Sequence, residues 1–172
     1  MEDPVIYFAY GSNMCTARLL YRVPGAAIVG SATLEGHRLR FHKRGKDKSG
    51  KCNADFTGSA DDRVLGVLFT VPAAELGKLH SAEGRGYGYD DHSLEVQMAD
   101  GATVKALTYL AATTHIDDSL APYGWYWDFV DAGAREHGLP AMYREAHIDS
   151  VQHHPDPDAQ RDRDERAKVR TL

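Results

Sequence analysis

Four consecutive residues near the start of the chain, Tyr10-Gly11-Ser12-Asn13, combine a phenol, a glycine and two short polar side chains. They follow a strand-like run. A glycine at a strand end lets the backbone approach a ligand, and the residues after it open a helix whose unpaired N–H groups attract anions. A carboxylate would fit such a turn; an ordinary capped turn is the competing reading, since Ser and Asn cap helices routinely. Some seventy positions later, Glu83 stands seven residues after Leu76 and four after Leu79. At helical spacing its carboxylate lies over the same face as two leucines that should be buried. Burial disfavours the charged form of a carboxyl group and raises its pKa, which suits it to move protons near neutral pH. The alternative is a solvated acid at a frayed helix end.

Two further stretches could line a pocket. Gly84-Arg85-Gly86-Tyr87-Gly88-Tyr89 is too rich in glycine for a strand and carries two phenols, each an apolar ring with one hydrogen-bonding tip. It reads as a mobile rim or as a surface loop. In Pro122-Tyr123-Gly124-Trp125-Tyr126-Trp127 the aromatic residues at helical spacing belong mostly to a core, with Tyr126 the one singled out for a site. Residues 42–51 are basic, with Lys43, Arg44, Lys46, Lys48 and Lys51 against Asp47 alone. Without interleaved aromatics they read as a solvated loop rather than a phosphate or nucleic-acid site. The scattered histidines offer no i, i+4 pair with a third ligand, so no metal is expected. There is no G-x-S-x-G, Walker loop or G-x-G-x-x-G after a strand, so hydrolytic triads and nucleotide folds lack their usual marks.

The elements that must position these residues can be read along the chain. Residues 5–10 form a strand ending at Gly11, with Ser12 or Asn13 as N-cap of a following helix. Strand-like stretches flank Glu35-Gly36, and residues 42–53 read as an exposed hairpin connection. Arg63 to Val71 is a strand; Pro72 opens a helix that Gly84 closes. Strands near 93–98 and 103–110 face each other across Asp100-Gly101. Residues 122–137 form an amphipathic helix with Trp125, Phe129 and Ala132 on one side, followed by a second helix to about His147. Residues 1–152 are expected to be one domain and 153–172 a charged tail, frayed or helical only on contact. The order of elements is neither alternating nor all-β, which gives an α+β domain around a curved, largely antiparallel sheet.

The whole-chain properties agree with a packed enzyme-sized domain. The 172 residues are 42% hydrophobic and 26% charged, with a formal net charge of -5. That balance gives no electrostatic reason to expect nucleic acid or an anionic membrane as partner. Cys15 and Cys52 are too few for a disulfide scaffold. The N-terminus lacks a basic leader, and its apolar run falls short of a spanning helix, so a cytoplasmic location without an anchor is expected.

Taken in order, Tyr-Phe-Ala-Tyr-Gly-Ser-Asn-Met at 7–14, Ser-Ala-Glu-Gly at 81–84, Tyr89 and Gly-Ala-Arg-Glu-His-Gly-Leu-Pro at 133–140 resemble the gamma-glutamylcyclotransferase family, AIG2-like proteins included. The resemblance spans roughly residues 5–152. It implies a barrel-like sheet flanked by helices, no cofactor, a small-molecule γ-glutamyl substrate, a monomer or homodimer, and a place in glutathione metabolism. It also implies Glu83 as the catalytic acid/base and the Tyr10 to Asn13 loop as the grip on the γ-glutamyl group. Tyr89 and Tyr126 match the family's pocket tyrosines, with Tyr87 a rival to Tyr89. The reaction expected is closure of the substrate's α-amine onto its γ-carbonyl, releasing 5-oxoproline and an amine. A γ-glutamylamine or acylated natural product as substrate, or a non-catalytic module that binds small acids, are the alternatives.

Overall fold

A computed structural model describes residues 2–170, with side chains as far as Val169. Strand β1 (Val5–Ala9) is the expected β-branched and aromatic run. A 3₁₀ turn at Ser12–Met14 follows, then helix α1 (Thr16–Arg22). Neither Ser12 nor Asn13 caps a helix: the 3₁₀ turn intervenes, α1 starts from Cys15, and both polar side chains turn to partners elsewhere in the fold.

Next come β2 (Ala27–Glu35), β3 (His37–Arg44), β4 (Gly50–Phe56) and β5 (Arg63–Val71). A 3₁₀ turn at Ala73–Glu75 separates Pro72 from helix α2 (Leu76–Glu83), so the helix starts later than the proline suggests. Strands β6 (Tyr89–Met98) and β7 (Thr103–Ala111) form a hairpin, and β6 starts four residues before the apolar pattern does. Its first residues pair from Tyr89 opposite Ala111, so the apolar end of β7 carries the polar run Asp90-Asp91-His92 into the sheet.

Five strands close a barrel in the order β1-β5-β2-β6-β7. The pairings are antiparallel except the one that shuts the barrel, a parallel contact of Tyr7 with Leu107. The middle of β5, Gly66 to Phe69, is buried, as expected of a strand covered on both faces. Gly66 allows β1 close, since a Cβ there would lie 2.4 Å from the Ala9 carbonyl oxygen.

The β3–β4 hairpin stands outside the barrel order, and here the sequence reading needs correction. Residues 42–53 are not an exposed connection: the reversal is confined to Gly45–Ser49, and His42, Lys43, Cys52 and Asn53 are buried strand residues. The polar composition hid this because the buried polar groups are bonded. Asn53 Nδ2 meets His42 Nε2 at 3.0 Å, and its Oδ1 accepts from the Ala111 N–H at 2.8 Å, tying β4 to β7.

Helix α3 (Gly124–Glu136) buries Trp125 and Phe129, but Ala132 is exposed and Gly133 takes its place on the inner stripe. A Cβ on Gly133 would sit 2.4 Å from Cys15 N and 2.5 Å from Met14 C, so this glycine lets α3 press against the backbone of the Ser12–Met14 turn. Helix α4 (Ala141–Arg144) runs on into a π turn, and helix α5 (Ala159–Arg170) occupies the charged C-terminal segment. Helix α5 buries little and is held by ion pairs, Glu165 to Arg18 at 3.4 Å and Arg166 to Asp128 at 2.5 Å. No helix among the described residues is long and apolar enough to cross a membrane.

Candidate active site

Glu83 is the last residue of α2. Gly84, left-handed at φ 66, stops the helix behind it, with the Arg85 N–H bonded to the His80 carbonyl at 3.0 Å. This fixed end aims the Glu83 carboxylate at the Ser12–Met14 turn. Asn13 Nδ2 donates to Glu83 Oε1 and also to Tyr7 Oη at 3.1 Å, while Tyr7 Oη donates to the same carboxylate oxygen at 3.4 Å. Arg22 Nη1 donates to Asn13 Oδ1 at 2.9 Å, which fixes the amide with its nitrogen toward the carboxylate. Burial raises the pKa of Glu83 above the ordinary range; Arg22, Arg18, the Tyr7 hydroxyl and Lys43 pull it down and are outweighed. Burial, and then the charge of Glu83, keep the Tyr7 phenol protonated.

The tyrosines hold backbone. Tyr126 Oη accepts from the Cys52 N–H at 2.9 Å and Tyr89 Oη donates to the Cys52 carbonyl, so one peptide segment of β4 is clamped from both sides. Tyr10 Oη donates to the Tyr109 carbonyl. Gly11 fits beneath this clamp because it lacks a side chain: a Cβ would lie 2.9 Å from Cys52 Cβ. The N–H groups of Gly11, Ser12 and Asn13 find no acceptor among the described residues, as expected at the first turn of a helix.

All the residues singled out from the sequence, Tyr10, Gly11, Ser12, Asn13, Glu83, Tyr89 and Tyr126, line one inner hollow of about 30 Å³. Glu83, Ser12, Tyr89 and Tyr126 also face an outer chamber of about 330 Å³. Tyr89 is 7% exposed and Tyr87 73% exposed, so Tyr89 is the deep phenol and Tyr87 stands at the rim. The outer chamber carries seven Lys and Arg side chains against three acids, a basic cavity in a chain of net charge -5. Part of its wall, Arg161, Glu165 and Lys168, comes from α5.

Sequence reasoning passed over Tyr7, Arg18, Arg22, Lys43 and Lys51. Two signals could have found some of them. A phenol in mid-strand in a buried run must give its hydroxyl a partner, which marks Tyr7. Arg18 and Arg22 share a helix face at i, i+4 directly after the turn. Arg18 donates to Ser12 Oγ at 3.2 Å, lies over the Phe129 ring at 4.7 Å, and burial lowers its pKa to about 10. Among the described residues no three His, Cys, Asp or Glu side chains converge as a metal ligand set.

This arrangement has relatives. A family model described as gamma-glutamyl cyclotransferase, AIG2-like, matches residues 7–128. The gamma-glutamylcyclotransferase of Homo sapiens is 31% identical over 152 residues, covering 84% of this chain and 77% of that one. A solved structure of an uncharacterised human protein superposes with a TM-score of 0.81 at 26% identity, over 95% of this chain and 98% of the other. A structure named gamma-glutamyl cyclotransferase gives a TM-score of 0.82 over 99% of this chain and 100% of its own, and at 24% identity it speaks to the fold alone. The barrel, the turn that meets Glu83 and the matched sequence make this chain a member of the AIG2-like gamma-glutamyl cyclotransferase family.

Proposed function

We propose that the protein is a gamma-glutamylcyclotransferase in which Glu83 is the catalytic acid/base. In a γ-glutamyl amide the α-amine and the γ-carbonyl belong to one molecule, so the protein need supply no nucleophile. It has to fold the substrate. Glu83 takes a proton from the α-ammonium, the freed amine attacks the γ-carbonyl, and the five-membered ring closes. The proton held by Glu83 then passes to the departing nitrogen as its bond to the carbonyl carbon breaks, and the ring nitrogen gives up its second proton through the same carboxylate to the released amine, giving 5-oxoproline and an ammonium. No water is consumed. A raised carboxyl pKa lies closer to that of the ammonium, which eases the first transfer.

The observation that carries this reading is the Glu83 carboxyl held by Asn13 and Tyr7 in a small hollow, its pKa raised by burial. The γ-glutamyl end would enter from the outer chamber, where Glu83 and Ser12 are shared with the small inner hollow, and the N–H groups of residues 11–13 suit its α-carboxylate or the developing oxyanion. Tyr89 and Tyr126 set the width of that hollow through Cys52. The leaving amine would extend into the outer chamber. The reading extends to the cytoplasm as compartment, which the free, buried thiols of Cys15 and Cys52 suit, and to turnover of glutathione-related γ-glutamyl compounds. The test is mass-spectrometric detection of 5-oxoproline from a panel of γ-glutamyl compounds. Wild type should form it and Glu83→Gln should not while still binding substrate; turnover by Glu83→Gln near the wild-type rate would remove Glu83 from the mechanism.

A further inference from the structure

Helix α2 is seated on the seam where the barrel closes. Two phenols stand there, Tyr7 on β1 and Tyr109 on β7, their rings edge to face with centroids 6.0 Å apart. Tyr7 Oη donates to Glu83, and Tyr109 Oη lies 2.8 Å from Nδ1 of His80. His80 and Glu83 are three residues apart, so they leave α2 on one face. Among the described residues these are the two side chains that hydrogen-bond α2 to the barrel strands. Tyr109 is buried and lines the inner hollow together with Tyr7 and Glu83. A phenol in that setting must give its hydroxyl a partner, and His80 supplies it.

We infer that His80 is a positioning residue for Glu83: as a neutral imidazole it accepts the Tyr109 hydroxyl at Nδ1, and this bond holds the last turn of α2, which carries the Glu83 carboxylate, against the closing seam. This rests on the reading of Glu83 as the acid/base of a γ-glutamylcyclotransferase. With its hydrogen given to His80, Tyr109 keeps its ring fixed beside Tyr7, whose hydroxyl in turn donates to Glu83. Protonation at Nδ1 reverses the bond: the imidazolium then donates, and the Tyr109 hydrogen has to turn away from α2. The titratable groups around the imidazole are Tyr109 from β7, Arg85 from the loop after the helix and Asp91 from β6, the last two paired at 2.7 Å. Burial and then Arg85 lower the pKa of His80 and outweigh Asp91, which raises it, so the ring is neutral at pH 7, the form that accepts.

Steady-state kinetics of 5-oxoproline formation test this. His80→Phe keeps a ring but removes the acceptor, and kcat should fall about tenfold with KM within about twofold of wild type. His80→Asn places an amide oxygen where Nδ1 stands and should restore most of kcat. Because His80 acts through one hydroxyl, the double variant His80→Phe/Tyr109→Phe should lose no more than Tyr109→Phe alone. On the acid limb of kcat/KM the raised pKa of Glu83 and the lowered pKa of His80 bring the two titrations together. Wild type should there lose about tenfold more than a one-proton curve allows, and His80→Asn should follow the one-proton curve. Unchanged kcat in His80→Phe overturns the inference, as do losses that multiply in the double variant or a His80→Asn as impaired as His80→Phe. If His80→Phe fails to fold by circular dichroism, the limbs of wild type and His80→Asn decide: limbs of one shape sink it. Absence of 5-oxoproline from wild type removes the cyclotransferase reading itself, and this role with it.

Discussion

The side-chain amide of Asn13 donates to the carboxylate of Glu83 across a separation of 70 residues. The contact joins the turn after β1 to the end of α2, and its geometry is set from behind: Arg22 holds the amide oxygen and Tyr7 stands beside the nitrogen. In the proposed reaction Glu83 must both take and return a proton, which needs its lone pairs aimed, and these neighbours hold the carboxylate in place.

Removal of either donor should therefore slow the chemical step more than it weakens binding. Tyr7→Phe takes away a hydroxyl 3.4 Å from Glu83 Oε1. A hydrogen bond to a charged group contributes about 1.5–3 kcal/mol, so kcat should fall roughly tenfold to a hundredfold. Asn13→Ala should fall further, because it also frees Arg22. Steady-state kinetics that show a change in KM alone would contradict this.

The pH profile follows from the direction of the Glu83 shift. Glu83 must be ionised to accept the ammonium proton, and burial raises its pKa, so the acid limb of kcat/KM should lie above the ordinary glutamate value of about 4.3. Arg22 is the largest influence that lowers it. Arg22→Met should move the limb upward; a downward move would mean that Arg22 does not act on Glu83. The same shift sets a stability trend. A carboxyl whose folded pKa is raised favours the folded state only while protonated, and that benefit fades as pH rises through its folded pKa. Glu83→Gln should gain in melting temperature over wild type, and gain more at pH 8 than at pH 5.

Much of this site was legible in the sequence for a physical reason: the Tyr10 to Asn13 turn and Glu83, which meet in the hollow, lie at element ends. Gly11 ends a strand and Gly84 ends a helix, and glycines at such places leave a pattern. A barrel-like sheet was implied by the family resemblance, and its strands followed from apolar runs and the Asp100-Gly101 turn. Its closure did not, since the parallel contact of Tyr7 with Leu107 depends on the curl of the whole sheet. Nor was the β3–β4 hairpin visible as buried structure. Its polar residues satisfy each other across strands, as His42 does with Asn53, and composition cannot tell an internally bonded polar residue from a solvated one. The outer chamber was hidden for a related reason: Lys43, Lys51 and Arg161 come from separate elements and look like surface charges until the fold brings them to one cavity.

Two glycine substitutions separate positioning from stability. Gly11→Ala meets a side chain, Cys52, whose Cβ and Sγ would lie 2.9 and 3.3 Å from the new methyl. The strand can yield by tenths of an ångström, at about 1–3 kcal/mol, but Cys52 carries the contacts of Tyr89 and Tyr126 with it. A folded protein with little activity is expected. Gly133→Ala meets backbone instead, at 2.4 Å from Cys15 N, and backbone there cannot step aside without moving the whole turn. It should cost more stability than Gly11→Ala, read as the larger fall in melting temperature; the reverse order would show that α3 is free to shift.

The last expectation concerns Asp156, which ties α5 to the domain. Its side chain is fully buried, receives both Arg161 Nε at 2.7 Å and Nη2 at 2.5 Å, and accepts from the Trp125 indole at 2.9 Å. Hydrogen bonds from Arg161, first among the causes, lower its pKa to about 2. A depressed carboxyl contributes stability that is present above its unfolded pKa, about 3.9, and is lost as pH falls toward the folded value. The attachment of α5 should thus loosen between about pH 4 and pH 2. Asp156→Asn should reproduce the loosening at neutral pH, with a loss of about 2 kcal/mol and roughly 4–8 °C in Tm. Because α5 supplies part of the chamber wall, the variant should also raise KM for a γ-glutamyl substrate with less effect on kcat. Limited trypsin digestion gives the direct reading, since the freed helix offers Arg161, Arg163 and Arg166 as cleavage points. A variant as resistant as wild type would show that the ion pairs of Glu165 and Arg166 hold α5 without Asp156.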